Sequence, residues 1–154
     1  KTSIPQGSLS SFANYVAGLM PTQKEVNAIA QAFRELAEKE ETDIYHCTQL
    51  YGIGGSIRSA AKLYGDLCNN GNRFNYLLPE HIDAILNRYA EDPNAFAHEA
   101  LRTLPDRIHT LIPGCVIIRE AFKLCGGERL DICKYGVREG YLAERVLVKP
   151  VSFA

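Results

Sequence analysis

The stretch LYGIGGSIRSAAKLY, residues 50–64, decides the fold class of this chain. An apolar run ends in three glycines within four residues, and Ser56 then opens a pattern typical of a helix. Glycine tolerates positive φ angles and lets another group approach the backbone closely. Because the first N–H groups of a helix point back into such a turn, the turn suits an anion. The residues alone leave two interpretations open: a tight strand-to-helix turn without a ligand, and a phosphate-binding turn.

Two well-known phosphate motifs do not account for this turn. The chain contains no GxxxxGK[ST] sequence, so it lacks a P-loop of the usual kind. The GxGxxG pattern of dinucleotide-binding folds fails because Ile57 occupies the third glycine position and no acidic residue follows at the required spacing. We therefore expect neither a P-loop fold nor a dinucleotide-binding fold.

The composition indicates one globular domain with a core of its own. The chain has 154 residues, of which 46% are hydrophobic and 23% charged. The net charge of −1 gives no support to binding of nucleic acid or of a membrane surface. Residues 102–154 carry nine basic and six acidic side chains, so this third is mildly basic. Scatter and a polyanionic partner both explain that imbalance.

The cysteine count and the absence of targeting signals predict a cytoplasmic protein. Five cysteines are an odd number without CxxC spacing, which favours reduced, buried thiols. No apolar run approaches the length needed to span a membrane, and no signal peptide is visible. The first residue is Lys1 rather than methionine, so we expect a processed product or a piece of something longer.

Strands and helices alternate along the sequence, which favours an α/β arrangement. Strands are predicted near residues 2–7, where Pro5 indicates a sheet edge, near 46–53 and near 129–134. The segments that predict helices are residues 8–20, 21–41, 56–67, 78–92, 93–104, 112–127 and 136–146. In the second of these, Thr22 and Glu25 have the spacing of a capping box.

Two arginines outside the glycine turn are further candidates for anion binding. Arg138 falls in the first turn of the last predicted helix, where a cation opposes the helix dipole. Glu139, another carboxylate, solvent or a bound anion would each compensate it. Arg107 lies just before an apolar helix, and a lone arginine there usually forms a surface salt bridge.

Nothing in the sequence predicts a metal site or a catalytic residue in this chain. The four histidines lack HxxxH and HExxH spacing, so zinc is not expected. A GxSxG signature is missing, and no carboxylate stands out as a general base.

Four segments together resemble one family in order and spacing. The segments YGIGGSIRSAAKL, DRIHTLIPGCVIIREAF and ERLDICKYGVREGYL are similar to segments of the exopolyphosphatase/guanosine pentaphosphate phosphohydrolase family, which has the actin-like, acetate and sugar kinase superfold. That family carries G-[VIL]-G-G-T, R-A-[DE]-x-I-x-x-G and G-L-R-E-G in the same order. TSIPQGSLSSF is similar to its S-L-P-L-G segment, so the resemblance spans nearly the whole chain.

The resemblance implies a set of substrate-binding residues, namely Gly54, Gly55, Ser56, Arg107 and Arg138. The first three match G-G-T with serine for threonine, which keeps a hydroxyl. Arg107 matches the arginine of R-A-[DE], although Ile108 and His109 replace the alanine and the acid. Arg138 matches the arginine of G-L-R-E-G, where Val137 replaces leucine.

The resemblance also implies an incomplete catalytic region. The family's first phosphate loop, catalytic glutamate and D-x-G-G-G-S loop all precede the S-L-P-L-G segment, and this sequence contains none of them. Residues 1–154 therefore correspond to the C-terminal portion of the second lobe. The fold implied is a partial ribonuclease-H-like, actin-like α/β lobe, with about three strands covered by several helices.

The function that follows is that of one cleft wall in a larger hydrolase. The full-length protein would use Mg²⁺, bind polyphosphate or guanosine pentaphosphate, and need the missing N-terminal lobe as partner. This chain alone is expected to bind no metal and to be inactive, and its open sheet edge favours a homodimer. Two alternatives stay open: a kinase-like member of the superfold with residues 54–56 near a nucleotide, and a non-enzymatic helical interaction module.

Overall fold

The computed structural model describes residues 3–40 and 46–147. In order along the chain, the helices and strands are α1 (Ser8–Tyr15), α2 (Gln23–Lys39), β1 (Gln49–Gly52), α3 (Gly55–Cys68), β2 (Tyr76–Leu77), α4 (Pro79–Glu91), α5 (Pro93–Thr103), α6 (Ile108–Cys125), β3 (Arg129–Ile132) and α7 (Val137–Leu142). A 3₁₀ turn at Pro105–Arg107 precedes α6, and a π-helical turn at Ala143–Leu147 follows α7.

The three strands form a small mixed sheet in the order β1-β3-β2. β1 and β3 are parallel, and Gln49 pairs with Arg129 at one end while Gly52 pairs with Ile132 at the other. β2 runs antiparallel to β3 and contributes only two residues. Because β1 and β3 are parallel, their carboxyl ends lie at the same edge of the sheet.

Helix α6 forms the centre of the core and contacts α1, α2, α3 and α4. Its central residues 111–118 are all apolar and nearly all buried, as expected for a helix within a core. Gly114 lies where α3 crosses, and a Cβ there would come within 3.3 Å of the Cβ of Ser56. The helix ends at Gly126, whose φ of 64° is left-handed, so the predicted glycine stop is confirmed.

The predicted capping box of α2 is confirmed. The amide of Glu25 donates to the Thr22 hydroxyl at 3.3 Å, and the Thr22 amide donates to the Glu25 carboxylate at 2.6 Å. Each bond gives a partner to a backbone amide at the start of the helix, where amides have no acceptor within the helix itself. The apolar stripe of this helix, including Val26, Ile29 and Phe33, is buried against α6 as the periodicity predicts.

The strand predicted near residues 2–7 is wrong for residues 3–7, the part that the structure describes. These residues are irregular, and Gln6 fixes them: its Nε2 donates to the Ser11 hydroxyl at 3.0 Å and to the Ile29 carbonyl at 3.2 Å. These side-chain hydrogen bonds hold the segment in place without strand pairing. Pro5 could not take full part in such pairing, because it has no backbone N–H. The third strand of the sheet is instead the pair Tyr76–Leu77, two residues that the sequence patterns assign to neither a helix nor a strand.

The five cysteines all lie within the described residues, and none forms a disulfide. Only Cys115 is buried, and burial raises the pKa of its thiol to about 12. The expectation of buried thiols is therefore wrong for Cys47, which is exposed, and holds in part for the other three. Across residues 3–40 and 46–147, no helix is long and apolar enough to cross a membrane.

Candidate functional site

The guanidinium of Arg107 lies directly against Gly55, the first residue of α3. A Cβ built on Gly55 would come within 2.7 Å of Nη2 and 2.9 Å of Cζ of Arg107. Only a residue without a side chain permits this approach. The preceding Gly54 has a φ of 129°, which side chains rarely allow, so the turn needs both glycines for different reasons. The structure thus brings together three residues that the sequence predicts for one site.

This contact places two positive features side by side. Gly54 caps α3 without any side-chain hydrogen bond, so the first amides of the helix keep their partial positive charge. Among the described residues, no carboxylate forms a salt bridge with Arg107, and its side chain is exposed. The surface salt bridge expected of a lone arginine is therefore not formed in this part of the chain. A cation beside a helix N-terminus is unfavourable unless solvent or an anion compensates both.

The side chain of Ser56 lies next to the first residue of helix α1. Its hydroxyl lies 3.1 Å from the hydroxyl of Ser8, the first residue of α1. Gly114 of α6 leaves room for both, since a Cβ there would lie 3.3 Å from Ser56 and 3.6 Å from Ser8. Sequence reasoning does not include Ser8 among the site residues. Ser8 directly follows residues 3–7, which resemble S-L-P-L-G, but the sequence marks it only as the start of the helix predicted over residues 8–20.

Arg138 lies on α7, beside the turn that follows β3. The Gly136 amide donates to the Glu139 carboxylate at 2.8 Å, so the helix start that carries Arg138 also carries a carboxylate. That bond lowers the pKa of Glu139, and the charges of Arg138 and Arg58 lower it further. A Cβ on Gly136 would lie 3.6 Å from Ile53, so the turns after β1 and β3 are neighbours.

Arg138 itself forms no hydrogen bond or ion pair with residues 54–56 or with Arg107. The structure therefore unites four predicted site residues and leaves Arg138 on the adjacent turn. All of these groups lie at the carboxyl ends of the parallel strands, the edge of an open α/β sheet where ligands usually bind.

The residues at this edge do not make a magnesium site. Glycines, serines and arginines offer few of the carboxylate oxygens that Mg²⁺ prefers. In the described ranges, no group of three or more His, Cys, Asp or Glu side chains is placed to hold a metal ion. What this arrangement can do chemically is bind and orient an anion.

No family model and no curated protein matches this sequence. Solved structures do match. A crystal structure of an Aquifex aeolicus member of the Ppx/GppA protein family has a TM-score of 0.70 at 22% identity, covering 93% of this chain and 47% of that one. The type II variant of the Aquifex aeolicus Ppx/GppA phosphatase has a TM-score of 0.69 at 21% identity, covering 92% of this chain and 48% of that one. A further structure of the Aquifex aeolicus PPX-GPPA enzyme gives the same values.

These matches establish the fold. The predicted partial actin-like α/β lobe is confirmed, and the resemblance drawn from the motifs is confirmed at the level of structure. This chain spans about half the length of the solved structures that it matches.

Proposed function

We propose that this chain is part of a Ppx/GppA family member and forms one wall of a phosphate-substrate cleft. The shared fold over 93% of the chain supports this, as do the four motifs in family order. The whole protein would hydrolyse polyphosphate or guanosine pentaphosphate with Mg²⁺. Its N-terminal lobe would supply the metal ligands and the general base, because residues 54–56 and Arg107 supply neither.

The observation that carries the proposal is the contact of Arg107 with Gly55 at the start of α3. Backbone amides and a guanidinium converge there without a carboxylate ion pair among the described residues. A phosphate oxygen would accept from both, and charge-assisted hydrogen bonds of this kind are the strong ones. The chain would thus bind and orient the substrate, while the chemistry belongs to the other lobe.

Binding of tripolyphosphate to the 154-residue chain tests this proposal. We expect Arg107→Gln to weaken binding about tenfold, because one charge-assisted contact is lost. Arg102→Gln is the matched control, since Arg102 is an exposed arginine at the end of α5. Equal affinities of the two variants would mean that Arg107 does not contribute to anion binding. That result would favour the alternative of a non-enzymatic helical interaction module.

In the longer protein, the same contact predicts a split between KM and kcat. Arg107→Ala should raise KM about tenfold and change kcat little, because the interaction is made equally in the ground and transition states. A fall in kcat at unchanged KM would contradict a role in substrate affinity.

A further inference from the structure

The residues that lead into β1 lie against the end of α6. The Cys47 amide donates a hydrogen bond to the Cys125 carbonyl at 3.0 Å. Beside this bond, a Cβ built on Gly126 would come within 2.8 Å of Nδ1 of His46. Two successive residues therefore contact the last residue of α6 and the glycine that ends the helix.

The residue after Cys47 is held by the same part of the fold. The amides of Glu128 and Arg129 donate to the Thr48 carbonyl at 2.8 Å and 3.0 Å, just before β1 begins to pair with β3. The approach of Cys47 to Cys125 is therefore set by backbone hydrogen bonds next to the sheet.

The backbone hydrogen bond brings the two cysteines within the range of a disulfide. With a donor–acceptor distance of 3.0 Å and standard bond lengths, their Cα atoms are at most about 7 Å apart. Disulfides join residues whose Cα atoms lie about 4.4–6.8 Å apart. Burial raises the pKa of the Cys125 thiol, and the neighbouring Cys47 thiol raises it further. A bond between them therefore needs rotation of side chains rather than rearrangement of the backbone.

Accessibility and distance favour this pair over others that include Cys47. Of the five cysteines, Cys47 alone is exposed, so an oxidant in solution reaches it first, and Cys125 is half-buried. Cys115 lies in the core, where burial raises the pKa of its thiol to about 12 and makes it unreactive. Cys133 follows β3 at the opposite end of the paired strands, about 13 Å or more from Cys47 along the sheet.

We propose that Cys47 and Cys125 form a reversible disulfide when the chain meets a peroxide. The Cys47 thiolate attacks an oxygen of hydrogen peroxide, which breaks the O–O bond, releases hydroxide and leaves a sulfenic acid on Cys47. The Cys125 thiolate then attacks that sulfur, and the hydroxyl group leaves as hydroxide. The thiol protons convert both hydroxides to water, so two thiols lose two electrons and one peroxide becomes two water molecules.

The disulfide would close the chain from residue 47 to residue 125, a stretch that contains α3, α4, α5 and α6. A cross-link over a long stretch restricts the unfolded chain and so favours the folded state. We expect oxidation to raise the urea midpoint of unfolding by about 1 M or more. The bond joins the amino ends of β1 and β3, away from Arg107 and Gly55, so it does not depend on the function proposed above.

Thiol titration and peptide mapping test the proposal on the 154-residue chain. After treatment of the reduced chain with a small excess of hydrogen peroxide, two of the five free thiols should be lost, and dithiothreitol should restore them. Mass spectrometry of protease fragments should find Cys47 joined to Cys125. Five thiols left after treatment, or Cys47 joined to another cysteine, including one of a second copy, would overturn the proposal.

Variants separate the two steps. Cys125→Ser should leave a sulfenic acid on Cys47 that dimedone traps, while Cys47→Ser should show no rise in the urea midpoint after peroxide treatment. Cys133→Ser is the matched control, because it also removes one thiol, and it should still form the bond and show the rise. Since Cys47 is exposed, its serine variant remains informative if Cys125→Ser disturbs folding. An equal rise in the urea midpoint for Cys47→Ser and Cys133→Ser would refute the proposed bond.

Discussion

At the scale of single residues, the missing side chain of Gly55 determines where the guanidinium of Arg107 lies. The closest atoms to a Cβ at this position are the ends of the Arg107 side chain, at 2.7–2.9 Å. Such atoms can move, since arginine has several rotatable bonds, whereas a backbone atom could not. A substitution here therefore shifts the arginine and leaves the helix intact.

Gly55→Ala is expected to weaken tripolyphosphate binding up to about tenfold without lowering the free energy of unfolding. The charge of Arg107 is kept, but its guanidinium moves away from the amides of α3, and alanine favours the helix more than glycine does. Tripolyphosphate titration and urea unfolding of the same sample check both parts.

Two other glycines serve as controls for this variant. Gly140→Ala in α7 places its Cβ in open space and should leave tripolyphosphate binding unchanged, while alanine favours the helix there as it does at position 55. Gly54→Ala puts a side chain at a φ of 129° and should lower stability and binding together. If Gly55→Ala behaved like Gly140→Ala, Arg107 would not contribute to the site.

At the scale of elements, the sequence predicts long helices well and short strands poorly. Periodic apolar residues and terminal signals such as Thr22 and Gly126 locate α2 and the end of α6. The helix predicted over residues 8–20 ends at Tyr15, because Val16 is extended with φ −111° and ψ 120°. β2 is two residues long and exists only through its pairing with β3, so no local pattern could reveal it.

The candidate site follows the same division between local and long-range information. The glycine turn at residues 54–56 is visible as a pattern, whereas its contact with Arg107 joins residues about fifty positions apart in the chain. The participation of Ser8 depends on how α1 packs on α6, which no local pattern contains. For Arg138, the sequence allows several compensating groups, and the structure places the Glu139 carboxylate at the same helix start, where the charge of Arg138 helps to lower its pKa.

An ion-pair cluster joins α2 to α6 and gives the pair a pH dependence. Glu120 is 2% exposed, and its carboxylate accepts from Arg34 at 2.8 Å and from Lys123 at 3.1 Å. Burial alone would raise the pKa of Glu120, but the hydrogen bonds from Arg34 and Lys123 outweigh it and leave the pKa below its ordinary value of 4.5. The folded state thus favours the ionised carboxylate.

Arg34→Ala should lower the free energy of unfolding by about 1.5 kcal/mol at pH 7, near the lower end for a hydrogen bond to a charged group because Arg34 is half exposed. A carboxyl with a lowered folded pKa stabilises fully above its unfolded pKa and loses this as pH falls through the folded one. The difference between Arg34→Ala and the unchanged chain should therefore shrink below about pH 4.5. Urea unfolding at several pH values tests this, and a constant difference would argue against ionic pairing.

At the scale of the whole molecule, the outer edge of β1 has no strand partner within the described residues, and apolar side chains near it are exposed. β1 pairs only with β3, and Tyr51 and Ile53 near its end are 71% and 55% exposed. Val137, at the start of α7, is 80% exposed. Unpaired strand edges with apolar side chains are templates for pairing with another chain.

The 154-residue chain is therefore expected to self-associate through the edge of β1, the homodimer predicted from the sequence, although the edge strand is not the one first expected. Tyr51→Lys should keep the chain monomeric, because a lysine on an edge strand opposes pairing. Sedimentation over a range of concentrations measures this. A chain that stays monomeric at the highest concentration, with or without Tyr51→Lys, would contradict it.

The chain alone should not release phosphate from tripolyphosphate at a meaningful rate, even with Mg²⁺. In-line attack by water needs a positioned base, a metal ion and donors around the phosphoryl oxygens. The candidate site supplies only the donors, through Arg107 and the amides at the start of α3, and no group of acidic or histidine side chains in the described ranges is placed to hold a metal. Loss of a general base costs about 10²–10⁴-fold in rate, and loss of the metal adds to this.

Binding should survive, since helix amides and a guanidinium act without the other lobe. Phosphate release by the chain, beside that by the longer protein, measures the difference. Comparable turnover would place the catalytic residues within these 154 residues, and the cleft-wall assignment would then be wrong.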